Sequence, residues 1–516
     1  MGDAGGRPNI ILIITDQQRY DTIGALGYPW MITPNLDRLA AGGAVLTDCF
    51  CAAPSCVPSR YSLFNGLYPS RGRVYNNGCA WGDSWVSLLR GAGYVTANVG
   101  KMHTVPYAAE CGFDHRLIVE NKDRPDLRAH SRFFDEWDRH LYNLGADKPS
   151  RWSYKDGYGG YADALGAYEW PMDGRLHPDE FTGDLALWFI ERIYGDAGLG
   201  GRGGGADGDL SARGLDRPLF LEIGFPGPHP PYDPPQGYID MYGGTAFSAP
   251  EVTEAEKAGQ PPPQQAYRRE MLAGNHDAIG WKESPTAGEL ERLRRYYAAN
   301  VTLIDHKVGQ ILAALGGKGL LDDAVVIFTS DHGDCLGDHG HIQKWTMYDE
   351  ILRVPTIVNA KGRIKAGTVH SGLAQQMDVA DYIMRAAGVA IPEVWDAEDL
   401  GLAYERVGTD GEACVGGAGG CAPDGVGTGD GRTGGGRRFV VAEHSRDNVW
   451  HGADFMEMVR TRGAKLVRYP GEAYGELYDL AADPGERVNR WADPAYAALR
   501  SELTETLLDF RTGQVR

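Results

Sequence analysis

Four short apolar runs in this chain are each followed by residues able to bind a metal, hold an anion or move a proton. Asp16 and Gln17 follow Ile10–Thr15, and Lys101 and His103 follow Val95–Val99. His229 comes shortly after Leu219–Phe225, and Asp331 and His332 follow Ala324–Thr329. Asp16, Gln17, Asp331 and His332 supply two carboxylates, an amide oxygen and an imidazole. That oxygen-rich set suits a hard divalent cation, with the imidazole drawing the choice toward a borderline metal. Cys56 lies in Ser55-Cys56-Val57-Pro58-Ser59-Arg60, where Pro58 and the residues after it predict the start of a helix. A cysteine at the positive end of a helix is placed to face an anion, and Arg60, one turn on, is expected to reach back toward it.

These groups need a scaffold that brings distant residues to one edge. The β-branched runs predict buried strands, with Val354–Val358 as another. Helical segments alternate with them. Thr33-Pro34 predicts an N-cap with proline at the first helical position, and Gly42-Gly43 closes that helix. A long helix near Glu289–Leu315 carries Leu293, Tyr297, Val301, Ile304, Val308 and Ile311 on one stripe, with Gly316-Gly317 as its stop. Strands alternating with helices predict an α/β fold, a large mixed and mainly parallel sheet sandwiched by helices. In such a sheet ligands bind beyond the carboxyl ends of the strands. Any one of the polar residues has an ordinary reading as a cap or strand-end charge. Four strands delivering to the same edge is the signal.

The tail has another pattern. Arg438–Glu443, Phe455–Arg460, Ala464–Arg468 and Glu476–Leu480 predict a small antiparallel sheet, and Pro494–Phe510 an amphipathic helix packed on it. The expected division is a catalytic α/β domain over 1–395, a flexible Gly-rich insertion over 396–436 and a C-terminal α+β subdomain over 437–516. Gly198–Gly208 is expected to be a second mobile, Gly-rich loop.

Composition limits the function classes. The chain has 516 residues, 51 Lys+Arg against 70 Asp+Glu, and a net charge of −19. That balance argues against a nucleic-acid partner, so an anionic substrate would need local lysines and arginines. No run has the apolar length of a membrane span, and the polar start predicts a cytoplasmic protein. Eight cysteines without a Cys-x-x-Cys pair predict neither a disulfide scaffold nor structural zinc.

Cys56-Val57-Pro58-Ser59-Arg60 resembles the maturation signature of type I sulfatases, in the alkaline phosphatase superfamily. Pro8–Asp21, Thr33–Gly42, Gly100–His103, Gly227–Tyr232, Ser330–Gly340 with Lys344, and Gly475–Glu486 resemble that family's blocks in the family's order. The resemblance implies an alkaline phosphatase-like fold and hydrolysis of a sulfate monoester of an aryl or carbohydrate alcohol. It implies that a formylglycine-generating maturation enzyme converts Cys56 to formylglycine, whose hydrate attacks sulfur. Asp16, Gln17, Asp331, His332 and the modified residue 56 would hold one divalent ion. Calcium is the family's usual ion, and manganese or zinc are alternatives given His332. Lys101 and Lys344 match the sulfate-clamping lysines, His229 the general acid and His103 the base, with Arg60 and Ser59 positioning residue 56. Asn77 is expected to touch the transferring group, His177 to line the substrate pocket and His339 to serve a supporting role. Homo-oligomers are compatible with the family.

Two positions depart from the commonest pattern. Gln17 and His332 stand where many sulfatases have Asp and Asn, which is similar to the phosphonate monoester hydrolase and choline sulfatase branches. A phosphonate monoester or phosphodiester hydrolase with the same nucleophile is therefore the first alternative, and a catalytically silent binding protein the second. The aromatic segment with Trp152, Tyr154, Tyr158, Tyr161 and Tyr168 fits either a sugar-binding face or a loop anchored on the core.

Overall fold

A strand whose residues are buried on both faces must sit in the middle of a covered sheet. Asn9–Asp16 (β1) meets that condition, buried from Ile10 onward. The computed structural model describes residues 6–120, 134–157, 160–194, 217–274, 276–402, 406–407, 413–414, 432–433 and 436–514.

Further strands are Ala44–Phe50 (β2), Val95–Gly100 (β3), His115–Ile118 (β4), Leu219–Pro228 (β5), Ala324–Ser330 (β6), Thr356–Ala360 (β7) and Thr368–Gln375 (β8). Short strands at Arg406–Val407 (β9), Ala413–Cys414 (β10) and Arg432–Thr433 (β11) follow. The main sheet runs β11-β8-β2-β7-β6-β1-β5-β3-β4. Every neighbouring pair in it is parallel except those made by β7, which runs against both β2 and β6. The predicted mixed, mainly parallel sheet is what forms.

Side chains alternate across it. Ile10, Leu12 and Ile14 enter the core on one face, and Ile11 and Ile13 enter the core on the other. The helix Ala287–Gly317 opens with a capping box between Thr286 and Glu289. Its Leu293, Tyr297 and Val301 belong to the first core and Ile304, Val308 and Ile311 to the second, so one stripe serves both. Gly316 and Gly317 remain helical, contrary to expectation. The chain leaves the helix at Lys318 and turns at Gly319, whose φ of 70° suits glycine. The helix Pro34–Ala41 also departs in detail. Thr33 occupies the N-cap position, but the amides of Asn35 and Leu36 donate to Asp305 of the long helix.

The tail forms Val440–Ser445 (β12), Phe455–Arg460 (β13), Ala464–Arg468 (β14) and Gly475–Asp479 (β15), an antiparallel sheet in chain order. One face, with Val441, Val459 and Leu466, packs on Leu503 and Leu507 of the helix Ala497–Gln514. The other, with Ala442, Met458 and Val467, enters the same core as β1. Of the predicted insertion, 396–436, residues 396–402, 406–407, 413–414, 432–433 and 436 are described, and Gly198–Gly208 lies outside the described residues. Among the described residues no helix is long and apolar enough to cross a membrane.

Candidate active site

β6, β1, β5 and β3 are consecutive neighbours in the sheet and run the same way. Their carboxyl ends therefore deliver Asp331 and His332, Asp16 and Gln17, His229, and Lys101 and His103 side by side. Gly100 and Gly224 make the close approach of β3 and β5 possible. A Cβ at Gly224 would stand 2.0 Å from the Lys101 carbonyl. Gln17 turns into the left-handed region at φ 70°, and its amide donates to Asp331 Oδ1 at 2.9 Å. His103, Gln343 and Trp345 also have positive φ, so several residues around the site hold strained backbone.

The helix Cys56–Asn65 points its first turn at this edge. Cys56 Sγ lies 3.2 Å from His332 Nε2, 3.6 Å from Asp16 Oδ1 and 3.0 Å from Lys344 Nζ. Asn77 Oδ1 accepts the Val57 amide at 3.0 Å, capping that helix from across the chain. Above Cys56 opens a cavity of about 530 Å³. Cys56, His103, His229 and Lys344 form its floor, and residues 76–78, Tyr107, His276, Asp277, Trp345 and residues 446–449 line the rest.

Ligand atoms of Asp16, Cys56, Asp331 and His332 all lie within 4.8 Å of one another. The donor chemistry fits a divalent cation. His332 Nδ1 faces the Gly333 carbonyl at 2.9 Å, which ties up that nitrogen and leaves Nε2 toward the cluster. Burial pushes the ring down to about 3, with Asp331 opposing and Lys344 adding to the shift, so the ring is neutral with a lone pair to offer. Burial opposes ionisation of Asp331, but His332, Arg60 and Lys101 outweigh it and hold the carboxyl well below its ordinary value. Gln17 is oriented from outside. Its Nε2 donates to Asp334 Oδ2 at 2.6 Å, so its Oε1 faces inward, where Lys344 Nζ donates at 2.9 Å. Lys101 Nζ pairs with Asp16. Burial pushes the Cys56 thiol up to about 11 against the pull of Lys344, so an unmodified Cys56 is a neutral thiol at pH 7.

Arg60 is near enough for its charge to act on the Cys56 thiol, but its hydrogen bonds go elsewhere. Its Nε donates to Asp331 Oδ2 at 2.8 Å and its Nη1 to the Lys101 carbonyl at 2.7 Å, because the carboxylate is the stronger acceptor within reach. Ser59 Oγ donates to the Asp331 carbonyl at 2.5 Å. Behind them lies a buried polar layer. Glu222 on β5 accepts from Asn98, and Glu120 Oε1 accepts the His103 amide at 3.1 Å. Trp81 Nε1 donates to the His103 carbonyl at 2.9 Å, so both polar backbone groups of His103 are held by side chains.

Burial pushes the Glu222 carboxyl up to about 8, against Arg60, Asn98 and Arg116. Between an ordinary value of 4.5 and about 8, the folded chain keeps a proton that the unfolded chain has lost. Its stabilising contribution is therefore complete below 4.5 and fades as pH rises through 8. Glu222→Gln is expected to flatten the decline of the unfolding temperature from pH 5.5 to 8.5, read by thermal melts. An unchanged slope would assign the decline to other groups.

The structure gathers Asp16, Gln17, Cys56, Arg60, Asn77, Lys101, His103, His229, Asp331, His332 and Lys344 around one cavity floor. His177 is a correction. It is fully buried, packs edge-on against Trp170 with ring centroids 4.9 Å apart, accepts the Asp179 amide at 3.2 Å, and does not line the cavity. His339 stacks on Tyr348 between Glu256 and Glu350 and carries a purely supporting contact set. Tyr154, Tyr161 and Tyr168 stack on one another, which favours the anchored loop, while Tyr158 lies outside the described residues. Sequence reasoning missed Glu120, Glu222, Asp277 and Asp334. Only Asp334 had a local signal, its place in the Asp331–Gly340 block.

The mainly parallel α/β sheet thus carries two buried lysines and a metal-competent cluster at its strand ends. The family model described as Sulfatase matches residues 8–167 and 206–389, more than half of the chain, and the protein belongs to the sulfatase family of enzymes. It is 27% identical over 508 residues to an arylsulfatase of Clostridium perfringens, covering 94% of this chain and 90% of that one. It is 29% identical over 400 residues to a choline-sulfatase of Rhizobium meliloti, covering 75% and 69%. In fold it is similar to the phosphonate monoester hydrolase of Agrobacterium radiobacter, with a TM-score of 0.74, 24% identity, and coverage of 98% and 96%.

Proposed function

We propose that this protein hydrolyses sulfate monoesters of a small-molecule or carbohydrate alcohol, using formylglycine made from Cys56 by a maturation enzyme. The observation that carries the reading is the pair of buried lysines against the metal-competent cluster, Lys101 on Asp16 and Lys344 on Cys56. Asp16, Gln17, Asp331 and His332 would hold a divalent cation, calcium in our assignment, which withdraws charge from the ester oxygen and from residue 56. Formylglycine supplies the attacking oxygen that a neutral buried thiol does not.

Lys101 and Lys344 balance the charge of the ester and orient it for in-line displacement. His229 is the proton donor to the leaving oxygen. Its Nδ1 is tied to the Pro230 carbonyl at 2.8 Å, so Nε2 is the atom that works. Burial, then Lys344 and Lys101, push its pKa well below the ordinary value. An anionic ester placed between the two lysines offsets their part of that shift, which favours a proton on Nε2 in the loaded site while burial still opposes it. His103 is the base that takes a proton from the second oxygen on residue 56, after which sulfate leaves. Cys49, Cys51, Cys56, Cys79, Cys111 and Cys335 are free thiols, and we assign the protein to the cytoplasm.

The competing reading is a phosphonate monoester or phosphodiester hydrolase, favoured by Gln17 and His332 in the cation site. Matured protein should carry the Cys56 peptide at the mass of the aldehyde or its hydrate. With 4-nitrophenol as the common leaving group, the sulfate ester is expected to exceed the phenylphosphonate and the phosphodiester in kcat/KM by tenfold or more. Sulfate as the slowest of the three would reverse the assignment.

A further inference from the structure

Above the floor, besides Tyr107, the cavity is lined by four ionisable side chains from other parts of the chain: His276, Asp277, Arg446 and Asp447. Three of them are occupied. Asp447 accepts the amides of Val449 and Trp450 at 2.8 and 2.7 Å and Trp345 Nε1 at 3.0 Å. Arg446 pairs with Asp454 at 2.7 Å, out toward solvent, and His276 faces Glu270 at 3.4 Å. Asp277 differs. Among the described residues its carboxylate makes one polar approach, Oδ2 to His229 Nε2 at 3.8 Å, which is beyond hydrogen-bond length. Its backbone is left-handed at φ 50°, and so is that of the following Ala278 at φ 62°. Ala278 is buried in the tyrosine cluster, and its carbonyl accepts Tyr168 Oη at 2.8 Å. The strained turn is therefore pinned from below, and it presents the carboxylate to the cavity.

This placement bears on the alcohol, and it rests on the sulfatase reading above. His229 Nε2 must come within about 3 Å of the leaving oxygen. Asp277 Oδ2 lies 3.8 Å from that same nitrogen, so the carboxylate stands beside the first atoms of the alcohol. A carboxylate there accepts a hydrogen bond from a hydroxyl or ammonium group on the carbon next to the ester. It repels a carboxylate or second sulfate at that position. We propose that Asp277 is the residue that sets substrate choice. It selects sulfate esters whose neighbouring carbon bears a neutral or cationic hydrogen-bond donor and rejects those flanked by a second anion.

Three aryl sulfates of similar size test this: 2-hydroxyphenyl, 2-methoxyphenyl and 2-carboxyphenyl sulfate, with released sulfate measured by ion chromatography. The matured wild type is expected to favour the hydroxy ester over the methoxy ester about tenfold or more in kcat/KM, and to turn over the carboxy ester slowest. In Asp277→Ala the hydroxy/methoxy ratio should fall to within about twofold. Asp277→Asn, which tolerates the left-handed backbone, should narrow the gap to the carboxy ester. Circular dichroism melts report whether each variant folds, and the Asn variant keeps the test valid if the Ala variant does not. Ratios in both variants equal to those of the wild type would overturn the proposal. So would a parallel fall of kcat on all three esters, which would make Asp277 a partner of His229 instead. No sulfate from any ester with matured wild type would overturn the sulfatase reading itself, an outcome distinct from either.

Discussion

Cys56→Ala is expected to lower sulfate release by about 10⁴-fold or more, the scale on which enzymes lose activity when the attacking group is removed. Cys56 Sγ lies within 3.6 Å of His332, Asp16 and Lys344 and is essentially unexposed, so no other side chain takes its place at the floor. The lysines, the histidines and the cation cluster stay where they are. Binding of the ester should therefore survive far better than turnover, and inorganic sulfate should still protect the variant from thermal unfolding. Single-turnover assays separate the two effects. Residual activity within tenfold of the matured wild type would mean that the nucleophile is another group, or water. Because the buried thiol ionises only near pH 11, unconverted wild type should resemble the alanine variant at neutral pH. Activity of any preparation should therefore track the converted fraction at position 56.

Arg60→Met is expected to destabilise the fold by about 3–5 kcal/mol, the range for removing one partner of a buried ion pair. Arg60 and Asp331 are both fully buried and lie 2.8 Å apart. Methionine keeps much of the stem's volume, so the loss reports charge and hydrogen bonding more than an empty cavity. Asp331 would be left with two backbone donors on Oδ1, from Gln17 and His332, and no partner on Oδ2. Nη1 also holds the Lys101 carbonyl, so Lys101 should lose its position and activity should fall together with stability. Arg60→Lys restores the charge but not the fork, and should recover only part of either. Guanidinium unfolding monitored by tryptophan fluorescence measures the first effect. A midpoint unchanged in Arg60→Met would show that Asp331 is neutral in the folded state.

What could be read beforehand follows from the range of the forces involved. β1, β5 and β6 were legible because a central strand is apolar on both faces and its sequence says so locally. β8, Thr368–Gln375, was not. It carries Thr368, His370, Ser371 and Gln375 among few apolar residues and is held by pairing to β2. The reversal of β7 was equally invisible, since direction is fixed by the partners on either side. Among the site residues, Asp16, Lys101 and Asp331 announced themselves at the ends of readable strands. Glu222 lies inside an apolar run and is explained only by Asn98, Arg60 and Arg116 arriving from elsewhere. The same limit produced the error at His177, whose neighbours Trp170 and Asp233 close over it in three dimensions.

The cavity wall at residues 446–449 comes from the turn between β12 and β13, after every floor residue in chain order. Roughly a hundred residues separate it from Lys344. On a ribosome adding about 5–20 residues per second, the last floor residue therefore emerges some 5–20 seconds before the wall is made. During that interval the nascent chain can hold its chemistry without its enclosure. Until then Cys56 exists without the wall that residues 446–449 form above it.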